Sequence, residues 1–365
     1  MNDKYDVEAL EKLSNKEILE LVNQITKRNS KRKIITYSKN FTLSLSNYCQ
    51  NECSYCFYNY KIPKLNSNEN VVLIDNDHIT SIVQKAISYN CKEALIMSGE
   101  RPDYYPQVKK ELEKRGCDGY INFVKDVCNY LLDLNILPHV NIGILEYDEL
   151  KRLKGFTASM GLMLESTSEK LFKKGGVHEK SPGKLPERRI RHIEEVGKLK
   201  IPFTTGVLLG IGESYSDRIR DLILIKKLHK KYGHIQEVII QNFISKPNIA
   251  YHPKKEISIN EMLKVVGIAK LLFKDDISIQ VPPNLIHGYE ADFLRFGVND
   301  FGGISPFTLD HINPEHKWPR IEDLGRICAE NGFDFQERLP IYPKFIDDPE
   351  FCPKTIKKRI EEINI

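Results

Sequence analysis

Three cysteines stand close together in the chain, at Cys49, Cys53 and Cys56, with the spacing C-x3-C-x2-C. Three thiolates at this spacing can hold three irons of a 4Fe-4S cluster, and the next cysteine, Cys91, is distant. The fourth iron would then have no protein ligand. An open coordination position on a metal is where a small molecule can bind and react. The spacing therefore predicts a catalytic iron–sulfur centre.

Two alternatives to a cluster are a zinc site and three structural cysteines. Structural zinc sites are closed by four ligands, and the histidine nearest in sequence, His78, lies in a segment whose pattern predicts a helix. The ligand count therefore favours the cluster. The other five cysteines lack metal-ligand spacing and are expected to be small buried residues. They are Cys91, Cys117, Cys128, Cys328 and Cys352.

The overall composition is that of a globular protein. At 365 residues, with 41% hydrophobic and 28% charged residues, the chain could form one large α/β domain or two smaller ones. Its 54 basic and 50 acidic residues nearly balance, which argues against a nucleic-acid partner. The chain shows no membrane-length apolar run and no signal peptide, and its eight cysteines favour a reducing compartment. We therefore expect a cytoplasmic protein without membrane or nucleic-acid partners.

Strand and helix patterns alternate along most of the chain. Segment 41–46 alternates apolar and polar residues, as a half-buried strand does, and the cysteines follow it directly. Seven more strands are expected at 94–98, 139–142, 158–164, 203–209, 237–243, 277–281 and 298–301. Helices are expected at 76–89, 119–135, 147–153, 187–199, 215–232, 258–273, 288–296 and 319–331. This alternation predicts an α/β fold, a (β/α)8 barrel of the TIM type, and an open doubly wound sheet is the alternative.

The barrel is expected to occupy residues 35–335. Residues 1–34 should form an N-terminal helical extension, because apolar positions between 6 and 28 recur at helical spacing. Residues 336–365 should form a proline-rich C-terminal tail packed on the barrel. No low-complexity linker divides the chain, so one domain is favoured over two.

The cysteine segment resembles that of the radical S-adenosylmethionine (SAM) superfamily, in which an aromatic residue such as Tyr55 commonly precedes the third cysteine. The resemblance implies a 4Fe-4S cluster ligated by Cys49, Cys53 and Cys56, with the amino and carboxylate groups of SAM on the open iron. Tyr55 is accordingly a candidate SAM-binding residue.

The second expected strand ends in Ser98-Gly99-Glu100. This run resembles the Gly-Gly-Glu motif of radical SAM enzymes, with Ser98 in place of the first glycine. By itself it could be a tight turn with a solvated glutamate. The resemblance implies instead that its backbone and carboxylate meet the amino group of SAM, and a carboxylate is a good partner for an ammonium group. All three residues are therefore candidate SAM contacts.

Two charged candidates follow the fourth expected strand. Glu165 stands at its end, where active-site residues of a barrel gather, and Arg189 stands downstream, at the start of the helix that begins with Pro186. Glu165 is placed to accept hydrogen bonds from the ribose hydroxyls of SAM. Arg189 stands where the family often has an arginine for the SAM carboxylate, a task that suits a planar guanidinium. A surface salt bridge is nearly as good an explanation of Arg189 and of its neighbour Arg188.

The fifth expected strand runs into segment 206–213, which resembles the family's G-x-I-x-G-x-x-E motif. Glycines let a backbone approach a flat ligand closely, so Gly210 and Glu213 are the remaining candidate SAM contacts. Taken alone the segment would be only a glycine-rich turn. Its place after a strand, together with the resemblance, favours a role beside the adenine.

Later strand ends carry polar residues that could meet a substrate. They are Gln241, Asn242, Asn284, Asn299 and Asp300. His311 could carry a proton, although a structural role is the better expectation for any single histidine.

A narrower resemblance is to the 7,8-didemethyl-8-hydroxy-5-deazariboflavin synthases, and within them to the subunit that closes the deazaflavin ring. It is carried by the cysteine segment and by segments 98–102, 241–247 and 299–306. It extends over about residues 35–335.

The run Glu-Arg-Pro at 100–102 favours the ring-closing subunit over its companion, which joins tyrosine to the uracil. Two departures concern the substrate. Asn-Ile-Ala-Tyr-His at 248–252 replaces a more usual Gly-Thr-Pro-Met-like run, and Phe301 stands where tryptophan is common.

The resemblance implies a specific lyase reaction. SAM on the reduced cluster splits into methionine and a 5′-deoxyadenosyl radical, which takes a hydrogen atom from 5-amino-5-(4-hydroxybenzyl)-6-(D-ribitylimino)-5,6-dihydrouracil, the tyrosine–uracil adduct. Ring closure onto the phenol with loss of ammonia then gives the 8-hydroxy-5-deazaflavin. The implied partners are the companion radical SAM subunit and a low-potential electron donor such as ferredoxin.

Three other functions remain open at this point. The chain could be the companion 4-hydroxybenzyl transferase, or a radical SAM enzyme of the thiamine or menaquinone type. It could also be a non-catalytic iron–sulfur or zinc-binding protein.

Overall fold

Parallel strands close into a barrel in the computed structural model of the protein, which describes residues 6–27, 33–62 and 71–363. The barrel strands are β1 (Ile34–Ser44), β2 (Glu93–Met97), β3 (Leu137–Asn141), β4 (Ser159–Gly161), β5 (Phe203–Leu209), β6 (Ile235–Asn242), β7 (Ser278–Gln280) and β8 (Asp300–Ile304). They neighbour one another in sequence order, and β1 pairs with both β8 and β2 to close the ring. The predicted barrel is confirmed, and the open doubly wound alternative is wrong.

Helices connect consecutive strands and flank the barrel. They are α1 (Val7–Lys12), α2 (Asn15–Lys27), α3 (Asn76–Ser88), α4 (Pro106–Lys114), α5 (Tyr120–Asp133), α6 (Tyr147–Leu153), α7 (Pro186–Lys198), α8 (Tyr215–Tyr232), α9 (Ile259–Phe273), α10 (Glu290–Arg295), α11 (Ile321–Glu330), α12 (Pro343–Ile346) and α13 (Lys354–Glu362). Over the described residues, none of them combines the length and the apolarity that a membrane crossing needs.

The predicted strands and the helices between them all occur, but helix α4 and a ninth strand were not predicted. Helix α4 buries only Val108 and Leu112, so its apolar pattern is too sparse to mark a helix. A ninth strand, β9 (Asp334–Glu337), pairs in parallel with the first residues of β1, next to the barrel. Its four residues contain a single apolar side chain, and its pairing depends on β1 rather than on its own sequence.

The N-terminal helix α2 packs against α9 through a close contact between Ile18 and Gly267. Ile18 is fully buried, and a Cβ at Gly267 would lie 2.2 Å from its Cγ2 atom. The missing side chain at Gly267 therefore lets the two helices approach.

Residues after β9 close the N-terminal end of the barrel. Arg338 donates to Asp300 at 2.6 Å and to Glu237 at 2.7 Å, and the hydroxyl of Tyr342 donates to Asp300 at 2.7 Å. Arg338, Asp300 and Glu237 are buried, and buried charges are tolerated only when they are paired in this way. The ion-pair cluster therefore forms the floor of the barrel interior.

Candidate active site

The cysteine loop follows β1 at the C-terminal end of the barrel. Cys53 and Cys56 are joined by a tight turn, in which the Cys56 N–H donates to the Cys53 carbonyl at 2.9 Å. None of the three cysteines forms a disulfide. All three line one cavity of about 410 Å³, so their sulfurs border the same space.

The donors around the cysteine sulfurs fit a 4Fe-4S cluster. The Glu100 N–H donates to Cys49 Sγ at 3.2 Å, and the Ser181 hydroxyl donates to Cys53 Sγ at 3.2 Å. Burial raises the pKa of Cys49 to about 12, and two backbone N–H groups oppose this rise. The N–H and hydroxyl donors favour the thiolate that binds iron, and hydrogen bonds to cluster sulfurs are one means of tuning a cluster.

Gly99 lets β2 pass against the cysteine loop. Its N–H donates to the Ser46 carbonyl at 2.8 Å, and a Cβ at this position would lie 2.0 Å from the Tyr48 carbonyl oxygen. Ser98 and Gly99 both line the cavity beside Cys49. The Ser98-Gly99-Glu100 run is therefore a close approach between two backbones, and not a solvated turn.

Glu100 is buried and its carboxylate is surrounded by donors. Gln50 donates to it at 2.7 Å, Asn51 at 3.0 Å and the Ile144 N–H at 3.1 Å, and Arg189 lies 3.8 Å away. Burial alone would raise the pKa of Glu100, but Arg189 and the three donors outweigh it and lower that pKa. The carboxylate is ionised and links the cysteine loop to the start of α7.

Glu165 follows β4 with a left-handed backbone conformation, φ +65°. Lys184 donates to its Oε1 atom at 2.5 Å. Burial would raise the pKa of Glu165, but the charges of Lys184 and Arg189 lower it. Glu165, Lys184 and Arg189 all line the cavity, so an anion and two cations face the same space as the cysteines.

Arg189 is 3% exposed, which excludes the surface salt bridge that was the alternative explanation. Its Nε donates to the Gly183 carbonyl at 3.1 Å, and its Nη1 donates to the Met163 carbonyl. These two carbonyls fix the plane of the guanidinium, and the remaining nitrogen is directed at Glu100.

Tyr55 lies within the wall of the cavity. Its hydroxyl is hydrogen bonded to His178 Nε2 at 3.0 Å, and its ring meets Phe243 edge to face at 6.1 Å. Burial raises the pKa of Tyr55 well above its ordinary value. His178 was not predicted, because it stands in an irregular loop whose contact with Tyr55 depends on the fold.

Gly210 and Glu213 form a turn next to the cavity. The Glu213 carboxylate accepts from the Gly210 N–H at 2.8 Å, from the Ile211 N–H at 2.9 Å and from Arg218 at 2.7 Å. Leu208 of the same segment lines the cavity, whereas Gly210 and Glu213 are not among the described residues that line it. Their contact with SAM stays a prediction.

The later strand ends contribute unequally to the cavity. Gln241, Asn242 and His311 line it. Asn284 donates to Asp310 at 3.1 Å, and Asn299 accepts from the Ile279 N–H at 2.7 Å. Asp300 belongs to the ion-pair cluster at the floor. The loop that carries His311 also brings Asn313 and Trp318 to the cavity wall.

The barrel interior contains polar side chains that were not predicted to face the site. Asn40, Thr42, Glu93, His139, Asn141, Thr204, Glu237 and Gln280 line the cavity from the strands. Within β1 and β3 these residues alternate with outward-facing ones, as strand geometry requires. A polar residue at every second position of a strand that is otherwise buried is the signal that could have identified them.

Residues 43–225 of the chain match the Radical SAM superfamily. The chain is 47% identical over 332 residues to the 7,8-didemethyl-8-hydroxy-5-deazariboflavin synthase of Methanococcus maripaludis strain S2, an overlap of 90% of this chain and 97% of that protein. It is 44% identical over 356 residues to the protein of the same name from Methanocaldococcus jannaschii, which is 97% of this chain and 96% of that protein. The chain belongs to the 7,8-didemethyl-8-hydroxy-5-deazariboflavin synthase family of radical SAM proteins.

Solved structures of other proteins share the barrel of this deazariboflavin synthase family member. The FeFe-hydrogenase maturase HydG from Carboxydothermus hydrogenoformans superposes with a TM-score of 0.67 at 17% identity, over 94% of this chain and 74% of that chain. Methylornithine synthase (PylB) superposes with a TM-score of 0.66 at 16% identity, over 91% and 93%. At these identities the likeness concerns the fold alone.

Membership of the radical SAM superfamily implies an enzyme that uses a 4Fe-4S cluster and SAM on a small-molecule substrate. The free thiols and charged groups of the cavity fit those cofactors, as the sulfur donors and the Glu165–Lys184–Arg189 group indicate. A purely structural iron–sulfur or zinc protein is therefore excluded.

Proposed function

We propose that this protein closes the deazaflavin ring, converting the tyrosine–uracil adduct to 7,8-didemethyl-8-hydroxy-5-deazariboflavin with release of ammonia. One observation carries the proposal. A single cavity of about 410 Å³ joins the three free cysteines to the Glu165–Lys184–Arg189 group and continues between the strands. A SAM-bound cluster and a small substrate need one continuous space, because the radical must reach the substrate without meeting water.

The ligands of the cluster are assigned to Cys49, Cys53 and Cys56. When bound, the cluster and SAM supply a 5′-deoxyadenosyl radical that accepts a hydrogen atom from the substrate. The chain itself contributes donors to the sulfurs, from the Glu100 N–H and the Ser181 hydroxyl. It also contributes a wall of buried side chains that excludes solvent.

The SAM contacts are assigned to the part of the cavity nearest the cysteine loop. Ser98, Gly99 and Tyr55 line the wall there. Lys184 occupies only the Oε1 atom of Glu165, so the Oε2 atom of that carboxylate can accept a ribose hydroxyl. Arg189 is held by two backbone carbonyls, which preorganises its guanidinium for a carboxylate.

Glu100 is assigned an indirect role at the SAM amino group. Its carboxylate already accepts from Gln50, Asn51 and the Ile144 N–H. It therefore orients the cysteine loop and Arg189, and adds negative charge close to where the ammonium group of SAM would bind. Gly210 and Glu213 are assigned to the turn that positions Leu208 against the adenine.

The ring-closing subunit is chosen over its companion because of the Glu-Arg-Pro run at 100–102. Arg101 has a left-handed backbone, φ +54°, and pairs with both Asp103 and Glu149 at 2.8 Å. Pro102 follows it and is buried. The backbone that follows β2 is therefore held in place by this run, which fixes the position of Glu100. A companion radical SAM subunit, a low-potential donor such as ferredoxin and a cytoplasmic location belong to the same proposal.

A product assay separates the candidate reactions. The reconstituted protein is incubated without oxygen with SAM, dithionite and the tyrosine–uracil adduct, and in parallel with tyrosine and the ribityl-uracil in place of the adduct. The proposal expects deazaflavin fluorescence from the adduct alone. Adduct formed from tyrosine and the ribityl-uracil would identify the companion enzyme instead, and Cys53→Ala, which removes one iron ligand, is the inactive control.

A further inference from the structure

The barrel interior is polar where most barrels are filled with apolar side chains. TIM barrels commonly pack layers of branched aliphatic residues between their strands. Here the middle of the interior carries Thr42 on β1 and His139 on β3, on either side of Leu95, and strand pairing places these three at one level. Asn141 lies two residues above His139 on the same strand face. Polar groups placed around a cavity indicate a polar ligand.

The hydrogen bonds around His139 fix which of its nitrogens carries the proton. Its Nδ1 lies 2.7 Å from the Ser159 hydroxyl, and that hydroxyl donates its only proton to the Pro340 carbonyl at 2.6 Å. Ser159 can therefore only accept from His139, so Nδ1 carries the hydrogen and Nε2 carries a lone pair. Burial and the nearby Arg338 lower the pKa of His139 to about 3, which keeps the ring neutral. His139 presents the cavity with an uncharged acceptor.

Gly161 on β4 makes room for the edge of the His139 ring, because it has no side chain. A Cβ at Gly161 would lie 2.8 Å from His139 Nε2 and 3.4 Å from Asn141 Nδ2. Across the described residues, the hydrogen bond of the His139 ring is made by Nδ1, and none is made by Nε2 or by the side-chain amide of Asn141. A fixed acceptor and an amide that can both donate and accept therefore lie side by side in the wall of the cavity.

Below this point several buried acids surround one cation. Arg338 pairs with both Asp300 and Glu237 at the floor, and Thr204 donates to Glu237 at 2.7 Å. Burial raises the pKa of Glu237 to about 7 and also raises the pKa of Glu93, which lines the cavity as well. The charged groups that suit SAM, Glu165 and Lys184, are instead paired with each other nearer the cysteine loop. The middle of the barrel thus offers neutral hydrogen-bonding groups, which complement hydroxyl groups and not a phosphate or a carboxylate.

We propose that the middle of the barrel, where His139 and Asn141 line the cavity, is the subsite for the polyhydroxylated ribityl chain of the substrate, with Nε2 of His139 accepting a hydrogen bond from one of its hydroxyls. The assignment rests on the proposed function. It leaves the hydroxybenzyl ring of the substrate nearer the cysteine loop and the apolar wall of Phe57, Leu208 and Phe243, where the hydrogen atom is removed. The phenol also carries one hydroxyl, so the two ends of the substrate must be distinguished by experiment.

Three ligands distinguish the ends of the substrate. They are the adduct, an analogue with methyl in place of ribityl, and an analogue with phenyl in place of hydroxyphenyl. Dissociation constants are measured by anaerobic calorimetry on the cluster-loaded, SAM-bound protein. His139→Phe keeps a flat ring and removes the acceptor, and Gly161→Ala puts a methyl group beside Nε2. His234→Phe is the matched control, because His234 is buried against Phe203 and does not line the cavity.

We expect His139→Phe and Gly161→Ala each to weaken the binding of the adduct and of the phenyl analogue about tenfold, which is the value of one neutral hydrogen bond. The methyl analogue should bind both variants as it binds the wild type, and His234→Phe should change none of the three constants. Equal weakening of all three ligands, or no weakening, would overturn the subsite. Weaker binding of only the two ligands that carry the phenol, the adduct and the methyl analogue, would place the hydroxybenzyl group there instead of the ribityl chain.

Failure of the proposed function gives a different result. In that case the wild type itself neither binds the adduct nor forms fluorescent product from it, and both the function and the subsite are refuted. If the wild type binds and converts the adduct while the His139→Phe and Gly161→Ala variants do not discriminate between the ligands, only the subsite is refuted. Gly161→Ala adds a single methyl group, so it provides a second test of the subsite if His139→Phe does not fold.

Discussion

Gly183 packs directly against the carboxylate of Glu100. A Cβ at Gly183 would lie 1.5 Å from Glu100 Oε1, and 2.9 Å from the amide nitrogen of Asn51. The Gly183 N–H also donates to the Asn51 side chain at 2.8 Å. This contact joins three segments that are far apart in sequence: the cysteine loop, the end of β2 and the turn before α7. The packing of Gly183 against Glu100 therefore fixes the cysteine loop and Arg189 relative to each other.

Gly183→Ala should weaken SAM binding and destabilise the fold. The added methyl group overlaps Glu100 and cannot be accommodated without moving the carboxylate, and overpacking of this kind costs about 1–3 kcal/mol. Denaturant unfolding and SAM calorimetry measure the two effects. Gly155→Ala is the control, because no atom lies within 4 Å of a Cβ built at Gly155. Equal behaviour of the two variants would show that the contact is not tight in solution.

Alanine at Cys49, Cys53 or Cys56 should each abolish cluster assembly and SAM cleavage. Each substitution removes one of three iron ligands and leaves too few to hold the cubane. Iron content and visible absorption after anaerobic reconstitution provide the measurement. Cys128→Ala, at a fully buried position on α5 away from the cavity, should keep the cluster. Retention of iron in Cys53→Ala and its loss in Cys128→Ala would refute the ligand assignment.

Glu100→Gln should lower SAM affinity while the cluster still assembles. The amide keeps the shape of the side chain but removes the charge opposite Arg189, and places an N–H₂ group among donors from Gln50 and Asn51. Because Glu100 acts on SAM through its charge and through Arg189, the loss should not exceed that of a direct charge-assisted hydrogen bond, about 1.5–3 kcal/mol, so the dissociation constant should be weaker by up to roughly a hundredfold. Calorimetry with SAM checks this, and an unchanged constant would contradict the role given to Glu100.

The barrel could be predicted from sequence because its signals are local. Short strand patterns from β2 to β8 alternate with helical patterns along the chain, and that alternation does not depend on distant contacts. β9 could not be predicted in this way, because Asp334–Glu337 becomes a strand only by pairing with residues 34–37 of β1. The first residues of β1 were missed for the same reason.

The candidate site was predictable where motifs are contiguous in sequence. Cys49, Ser98 and Glu165 stand next to strand ends, so their position in the fold followed from the strand assignment. Lys184 and His178 lie in irregular loops, and only the folded chain brings them to Glu165 and Tyr55. Which way the Glu100 carboxylate turns also depends on Gly143 and Gly183, whose missing side chains make room for it.

The stability of the protein should depend on pH through Glu237. Burial raises the pKa of Glu237 to about 7 from its ordinary 4.5; Arg338 opposes this rise and Asp300 adds to it. A carboxyl with a raised pKa in the folded state keeps a proton that the unfolded chain has released, so its contribution to stability falls as pH rises from about 4.5 to about 7.

Comparison with Glu237→Gln isolates this contribution from the buried histidines. The free energy of unfolding of the wild type, relative to that of the variant, should fall by on the order of 1 kcal/mol per pH unit across the window. Denaturant titrations of both proteins at several pH values provide the measurement. A difference that stays constant with pH would show that Glu237 is already ionised at the low end of the window.

Deuterium transfer from substrate to 5′-deoxyadenosine tests the proposed function most directly. The adduct is prepared with deuterium at every carbon of its hydroxybenzyl group and incubated without oxygen with the reconstituted protein, SAM and dithionite. The account predicts deazaflavin fluorescence together with 5′-deoxyadenosine that is one mass unit heavier, because the radical takes its hydrogen atom from that group. Cleavage of SAM to unlabelled 5′-deoxyadenosine, with no fluorescent product, would contradict it.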